Sequence, residues 1–325
     1  YPEAVKDVEH LQTHISHVFL AGDFAYKLKK PVNLGFVDFS TLERREFFCR
    51  EELRLNRRLA ESLYLDVVPV VGTPEQPRIG KPGEGQSDSN QPLEFAVKMR
   101  RFPHASELVQ VLADHKLTRD HIDDLARTVA SFHAKVAVAP PATPWGAPTE
   151  VMRPVRENFR HLKSSADEHQ AVIVAVEEWS EHEFKLRHDE FIRRKQAGFI
   201  RECHGDMHLG NMLLENDRVV IFDCLEFNEG LRWIDVQSEI AFLAMDLEDR
   251  QQPEFAHRVL NAYLEITGDY EGASLLPFYQ TYRAVVRAKV AHLRAEQTTS
   301  GEAQSGTSSS KSRVFEQCRR EVATY

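Results

Sequence analysis

The sequence predicts an α+β protein, with a small β-rich N-terminal lobe ahead of a larger helical C-terminal lobe. Three observations carry this prediction. Short strand-like runs follow one another up to Met99, helical periodicity takes over beyond Pro103, and strand signals return only beside His204 and in Val219-Val220-Ile221-Phe222. With 325 residues and 42% hydrophobic content, the chain has enough apolar side chain to bury a sizeable core. The divisions read from these shifts are residues 1–102, a lobe with a hairpin, a long helix and strands; residues 103–295, the helical lobe; and residues 296–325, a flexible linker with a short terminal helix.

Residues 13–32 read as a hairpin, in which Val18-Phe19-Leu20 and Phe24-Ala25-Tyr26-Lys27-Leu28 flank the turn-forming Ala21-Gly22-Asp23. Ser40-Thr41-Leu42-Glu43 has the composition of a helix start, and Phe47, Leu53, Leu55 and Leu59 continue at helical spacing to Ala60. Val67-Val68-Pro69-Val70-Val71 and Leu93-Glu94-Phe95-Ala96-Val97-Lys98-Met99 are the next strands. Between them, residues 80–90 have the Gly- and Ser-rich composition of a mobile loop. Helices are predicted over residues 106–114 and 120–136, the second with Ile122, Leu125, Val129 and Phe132 on one face, and again from Val236 onward. Residues 297–312 read as a tether before a helix containing Val314, Phe315 and Val322.

Composition narrows the function classes. Cys49, Cys203, Cys224 and Cys318 show no Cys-x-x-Cys spacing, which argues against a disulfide framework or a zinc ribbon and suits a reducing cytoplasm. No apolar run reaches the roughly eighteen residues of a membrane span, and the start lacks a signal-peptide pattern, so a soluble cytoplasmic protein without a membrane partner is expected. The chain opens at Tyr1 rather than methionine, which reads as a fragment or a processed product. Up to Phe102, 15 Lys+Arg face 15 Asp+Glu, so the remaining 26 against 35 carry the whole formal charge of -9. That acidity disfavours nucleic acid as a partner and would draw a cationic substrate, although it is also an ordinary route to solubility.

The chemistry concentrates in His204-Gly205-Asp206-Met207-His208-Leu209-Gly210-Asn211, where an amide follows a carboxylate by five residues, and in Asp223, which ends the run Val219-Val220-Ile221-Phe222. Two carboxylates and an amide are expected to converge at strand ends. Phosphoryl transfer needs such a set, because a base must accept the hydroxyl proton while oxygen ligands hold magnesium against the nucleotide phosphates. Protein kinases use the same spacing in their His-Arg-Asp-x-x-x-x-Asn loop and a later metal-binding Asp.

His-Gly-Asp-x-His-x-x-Asn followed by Ile-Phe-Asp resembles the signature of the aminoglycoside phosphotransferase-like kinases, whose fold is the bilobal protein-kinase-like fold. The resemblance implies ATP and Mg2+ as cofactors. It makes Asp206 the catalytic base, Asn211 and Asp223 the magnesium ligands, and His204 a brace that orients the loop, with His208 a second brace and a candidate substrate contact. Kinase-like folds also pair a lysine on the third strand with a glutamate on the following helix. Lys27 and Glu52 fit, with Lys29, which shares the strand face by period two, and Glu51, one helical step away, as alternatives.

No Gly-rich loop precedes Lys27; in the resembled family a short serine-containing turn takes its place, and Thr13-His14-Ile15-Ser16-His17 sits there. His14 and Ser16 are therefore candidate phosphate contacts, through backbone amides and the Ser16 hydroxyl. His10, His14 and His17 also have the spacing of a helical metal cluster, but without a further ligand nearby a solvated loop role is expected. Met99, at the end of the strand before the lobe hinge, reads either as an adenine contact through its backbone or as a core residue.

The runs Cys224-Leu225-Glu226-Phe227-Asn228 and Arg232-Trp233-Ile234-Asp235-Val236, with the hairpin and helix, resemble a bacterial subgroup in which a kinase-like domain often precedes a P-loop ATP-binding domain. The resemblance covers residues 13–293 and implies a P-loop partner domain outside this chain, since Gly301-Glu302-Ala303-Gln304-Ser305-Gly306-Thr307 lacks the lysine of a Walker A loop. Glu226 falls on the face where an acceptor is expected, and Asp235 resembles a structural aspartate. Cys203 and Cys224 flank His204 and Asp223, but neighbouring strand residues point to opposite faces, so buried small hydrophobes are expected rather than zinc ligands. The function expected is transfer of the ATP γ-phosphate to a hydroxyl on a small molecule. A nucleotide-sensing module that controls an attached ATPase, and a protein kinase, are the alternatives. The motif does not name the acceptor, because such pockets are built by variable helices.

Overall fold

The computed structural model describes residues 8–35, 37–81, 83–84, 91–165 and 170–302. In chain order the elements are β1 (Val8–Gln12), β2 (Ser16–Ala21), β3 (Phe24–Lys29), α1 (Leu42–Ala60), β4 (Tyr64–Thr73), β5 (Gln76–Ile79), β6 (Glu94–Arg100), α2 (Leu108–Ala113), α3 (Arg119–Lys135), α4 (Pro148–Ser165), α5 (Gln170–Leu186), α6 (His188–Gln196), β7 (Ile200–Glu202), β8 (Met212–Glu215), β9 (Arg218–Ile221), β10 (Trp233–Asp235), α7 (Val236–Asp249), α8 (Pro253–Thr267) and α9 (Leu276–Glu302). They fall into two compact units, Tyr1–His121 with His204–Arg232, and Ile122–Cys203 with Trp233–Tyr325. The sequence reading divides the chain at 102/103 instead. The motif segment after His204 joins the unit that holds the first strands, because Leu213 of β8 packs into the core of that sheet beside Val97 and Met99.

In the first unit a six-stranded antiparallel sheet runs β1-β2-β3-β6-β4-β5. The central strand β6 buries Phe95, Ala96 and Val97 in succession, as a strand covered on both faces must. The predicted hairpin is the β2–β3 pair, with Val18 opposite Lys27. An edge strand, β1, extends it; exposed along its whole length, β1 carries no alternation that a sequence reading could detect. Helix α1 begins at the predicted cap, where the Thr41 hydroxyl accepts from the Arg44 amide. Its buried face departs from the apolar reading. Phe47 is 57% exposed, while Cys49, Glu52, Leu55, Asn56 and Ala60 point inward. A charged and an amide side chain thus occupy positions that periodicity assigns to apolar residues. In the predicted mobile loop, residues 82 and 85–90 lie outside the described residues.

The second unit is helical apart from the antiparallel β7–β10 pair, in which Glu202 faces Trp233. Helix α7 is buried along nearly its whole length and packs against α8 and α9. Buried Arg194 forms two bonds to Asp235, at 2.7 and 2.8 Å, and two to Asp269, both at 2.8 Å, and Asp235 also caps α7 by accepting from the Gln237 amide. Helix α9 continues to Glu302, so the first residues of the predicted tether are helical; residues 303–325, with the predicted terminal helix, lie outside the described residues. Among the described residues no helix is long and apolar enough to cross a membrane.

Candidate active site

The segment that follows β7 turns sharply at Gly205, whose φ is +90°; a Cβ there would stand 2.8 Å from the Leu231 carbonyl oxygen, so only glycine fits. This turn holds His204 buried, with Nε2 donating to the Phe222 carbonyl at 2.9 Å and Nδ1 accepting from the Asp206 amide at 3.3 Å. An Nε2–H tautomer meets both bonds, so His204 shapes the loop by hydrogen bonding. His208 caps a short 3-10 turn, Leu209–Asn211, by accepting at Nδ1 from the Gly210 amide, and its Nε2 lies 3.5 Å from Asp206 Oδ2. Gly210 leaves room for that ring, since a Cβ there would fall 2.8 Å from it.

Asn211 Nδ2 donates both to the Asp206 carbonyl and to Asp206 Oδ2, each at 2.9 Å. The amide is thereby oriented with Oδ1 turned away, and neither Asn211 Oδ1 nor Asp206 Oδ1 has a hydrogen-bond partner among the described residues. Asp206 is 34% exposed. Burial of the rest would raise its pKa, but His208, by charge and hydrogen bond, together with His204 and Asn211, holds the carboxyl well below the usual carboxylate range.

The β8–β9 hairpin explains why Asn211 and Asp223 approach. Met212 pairs with Ile221, and one step further out the Phe222 amide donates to the Asn211 carbonyl at 2.9 Å. The reversal uses Asn216 and Asp217, both at positive φ, as a tight two-residue hairpin requires. Asp223 itself has φ +62°, which swings its carboxylate out of the strand; its amide donates to the Tyr64 hydroxyl at 3.2 Å. The next amide, of Cys224, donates to Asn56 Oδ1 at 2.8 Å, tying this corner to α1.

Opposite Asp223 stands a chain of alternating charges. Lys27 Nζ lies 2.6 Å from Asp223 Oδ1 and 2.8 Å from Glu52 Oε1; Lys29 Nζ lies 2.8 Å from Glu52 Oε2 and also pairs with Glu226. Lys27 and Lys29 share one face of β3, and Glu52 bridges them from α1. Lys29 is fully buried, with its ammonium 4.8 Å from the centre of the Phe39 ring, whereas Lys27 is 16% exposed and Asp223 42% exposed. Burial opposes charge on both lysines, but the carboxylates beside them raise both pKa values. For Glu52, burial is outweighed by Lys27 and Lys29, which pull it down to about 2. Glu226 goes the other way, raised by burial against the charge of Lys29.

Asn211 Oδ1, the Asp223 carboxylate and Asp206 Oδ1 are oxygen donors only, the set that suits a hard cation such as Mg2+ rather than zinc. A family model described as a phosphotransferase enzyme family matches residues 43–276. The chain belongs to that family. Uncharacterized proteins of Mycobacterium tuberculosis and Mycobacterium bovis are each 33% identical to it over 288 residues, which are 88% of this chain and 55% of theirs, so the chain spans about half the length of the curated relatives it matches. Among solved structures, it is similar to a choline kinase from Cryptosporidium parvum, with a TM-score of 0.49, 10% identity, and coverage of 88% of this chain and 83% of that one. An aminoglycoside phosphotransferase from Streptomyces rimosus gives 0.46 and 14%, covering 86% and 92%. The architecture is α+β, as the sequence predicts, with a six-stranded sheet in the first unit and mostly helices in the second.

Other predicted residues fall in varied places. Ser16 is fully buried at the start of β2, and its hydroxyl has no hydrogen-bond partner among the described residues. His14 is exposed in the preceding turn. His10 and His17 lie on neighbouring strands, with Nε2 of one 2.9 Å from Nδ1 of the other, so no helical histidine cluster forms. The Met99 side chain belongs to the sheet core. Glu51 points away from the lysines and pairs with Arg54. Glu226 is a correction: it is buried against Lys29 rather than presented on an open acceptor face, because a lysine with no route to solvent demands a counter-charge.

Asn56 and Tyr64 are the positioning residues that the sequence reading missed. The only signal in the sequence is a polar side chain on the buried stripe of α1, one turn beyond Glu52. In the second unit Cys203 is buried near His133 and Glu239, their ligating atoms within 4.8 Å of one another. His133 uses one ring nitrogen toward Glu239 at 2.9 Å and the other toward the Tyr263 hydroxyl at 2.8 Å, which makes this a hydrogen-bonded core cluster.

Proposed function

We propose that this phosphotransferase moves the γ-phosphate of ATP to a hydroxyl group of a small molecule. The observation that carries the proposal is the Asp206 carboxylate: one oxygen is fixed by Asn211 and His208, while the other has no partner among the described residues and the side chain is partly open to solvent. In this reading Asp206 Oδ1 accepts the hydrogen bond of the attacking hydroxyl. The new bond from the hydroxyl oxygen to the γ-phosphorus forms as the bond to the bridging oxygen breaks, and the proton passes to Asp206. A carboxylate held this far below its ordinary range is a weak base. It orients the hydroxyl and takes the proton late, which suits a loose transition state.

Mg2+ held by Asn211 Oδ1 and the Asp223 carboxylate would supply charge neutralisation at the phosphates. Lys27, the lysine with access to solvent, is assigned to the phosphates, and Ser16 with the turn before it to their outer oxygens. The acidic balance beyond Phe102 favours a cationic acceptor, and the relatives' greater length leaves room for a P-loop partner domain. The test is ADP release and a metabolite-pool screen for phosphorylated products, with purified protein in Mg-ATP. Product formation that vanishes in Asp206→Asn supports the reading. No difference between the two proteins ends it, and tight nucleotide binding without turnover would point to a nucleotide-sensing module.

A further inference from the structure

Resting on the reading of this site as a Mg-ATP phosphotransferase, we propose that Lys29 and Glu226 are positioning residues: a buried ion pair that holds Glu52 by its second oxygen so that its first can aim Lys27. Five charges alternate along the chain Asp223, Lys27, Glu52, Lys29 and Glu226. One end is open, at half-exposed Asp223. The other is sealed, because Lys29 is fully buried and Glu226 nearly so.

Lys29 does not contact the nucleotide in this arrangement. Its ammonium is enclosed by Glu52, Glu226 and the Phe39 ring, and Phe39 is itself fully buried. Glu226 is fixed from behind, since the Arg232 guanidinium donates to its carbonyl at 3.1 Å. Glu52 is therefore held by a hydrogen bond from Lys29 to Oε2 at 2.8 Å, while Oε1 faces Lys27 across a 2.8 Å ion contact without hydrogen-bond geometry, so Lys29 is what fixes the carboxylate beside Lys27. The consequence lies at the open end. A phosphate and Asp223 are both anions, so Lys27 can exchange one for the other with the sign order of the chain unchanged and Glu52 still in place. Without Lys29, Glu52 and Glu226 would be two buried carboxylates sharing one lysine, and Lys27 would be drawn inward to both.

The experiment measures binding of a fluorescent ATP analogue in Mg2+ to the wild-type chain, Lys29→Met, Glu226→Gln and the double variant, each checked for folding by circular dichroism and thermal melting. Lys29→Met is expected to weaken binding about ten-fold or more, and Glu226→Gln only about two- to three-fold, as charge pairs that couple directly do. The double variant removes the pair as a unit and leaves Glu52 with Lys27, so most of the loss in Lys29→Met should be recovered. A merely structural pair predicts no such rescue. Folded Lys29→Met with wild-type affinity, or a double variant as impaired as Lys29→Met, overturns the inference alone. A wild-type chain that binds no Mg-nucleotide overturns the functional reading and this inference with it. If Lys29→Met cannot be obtained folded, the double variant decides: folded with affinity within a few-fold of wild type supports the inference, and unfolded or non-binding overturns it.

Discussion

Two buried charge networks, one in each unit, are built from the same kinds of residue and end differently. In the second unit Arg194 meets Asp235 and Asp269 through four bonds of 2.7 to 2.8 Å, Gln237 donates to Asp269 at 2.7 Å, and every charged side chain is nearly sealed from water. In the first unit the chain from Glu226 to Asp223 is sealed at one end only, and in the same unit Asp206 keeps an oxygen without a hydrogen-bond partner among the described residues. A closed network can only hold the fold together. One left incomplete at the surface has donors and acceptors for a ligand, and that difference separates structural from chemical charge more clearly than residue type does.

The sharpest way to break the comparison is at Asp206. Asp206→Asn should lower phosphotransfer by about a thousand-fold, within the range for a positioned base, while the melting temperature stays close to wild type, because the side chain is partly exposed and Asn keeps its shape. Arg194→Met should do the reverse. It strands two buried carboxylates, so denaturant unfolding should show a loss of about 3–5 kcal/mol.

Acid sharpens the contrast within the first unit. Glu52 is held at about 2 when folded, below its ordinary 4.5, so its contribution to stability is complete above about 4.5 and is lost as pH falls toward about 2. The stability gap between wild type and Glu52→Gln, followed by melting at successive pH values, should close across that window. The smallest effect belongs to Thr41→Ala, which removes the α1 cap and should cost about 1 kcal/mol in chemical denaturation without changing the charge chain.

Part of the candidate site was legible because its residues lie close together along the chain. Asp206 and Asn211 are five residues apart on one turn, and Gly205 between His204 and Asp206 is what that turn needs, so the motif appears in the sequence as a unit. The choice between Lys27 and Lys29 was not legible: a period of two places both on one strand face, and only the packing of Phe39 and Glu226 shows which ammonium is enclosed. Strand β1 escaped notice for a related reason, since an exposed edge leaves no hydrophobic pattern.

By itself, the sequence determined the β2–β3 hairpin, the cap and length of α1, the strands β4 and β6, and the spacing of the His204–Asn211 motif, all properties of neighbours along the chain. Tertiary structure alone decided that Glu52 serves two lysines, that Glu226 is a buried counter-ion, and that Tyr64 and Asn56 fix the corner around Asp223. The physical reason is that a charge's role depends on what shares its burial, and those partners come from segments up to 197 residues away.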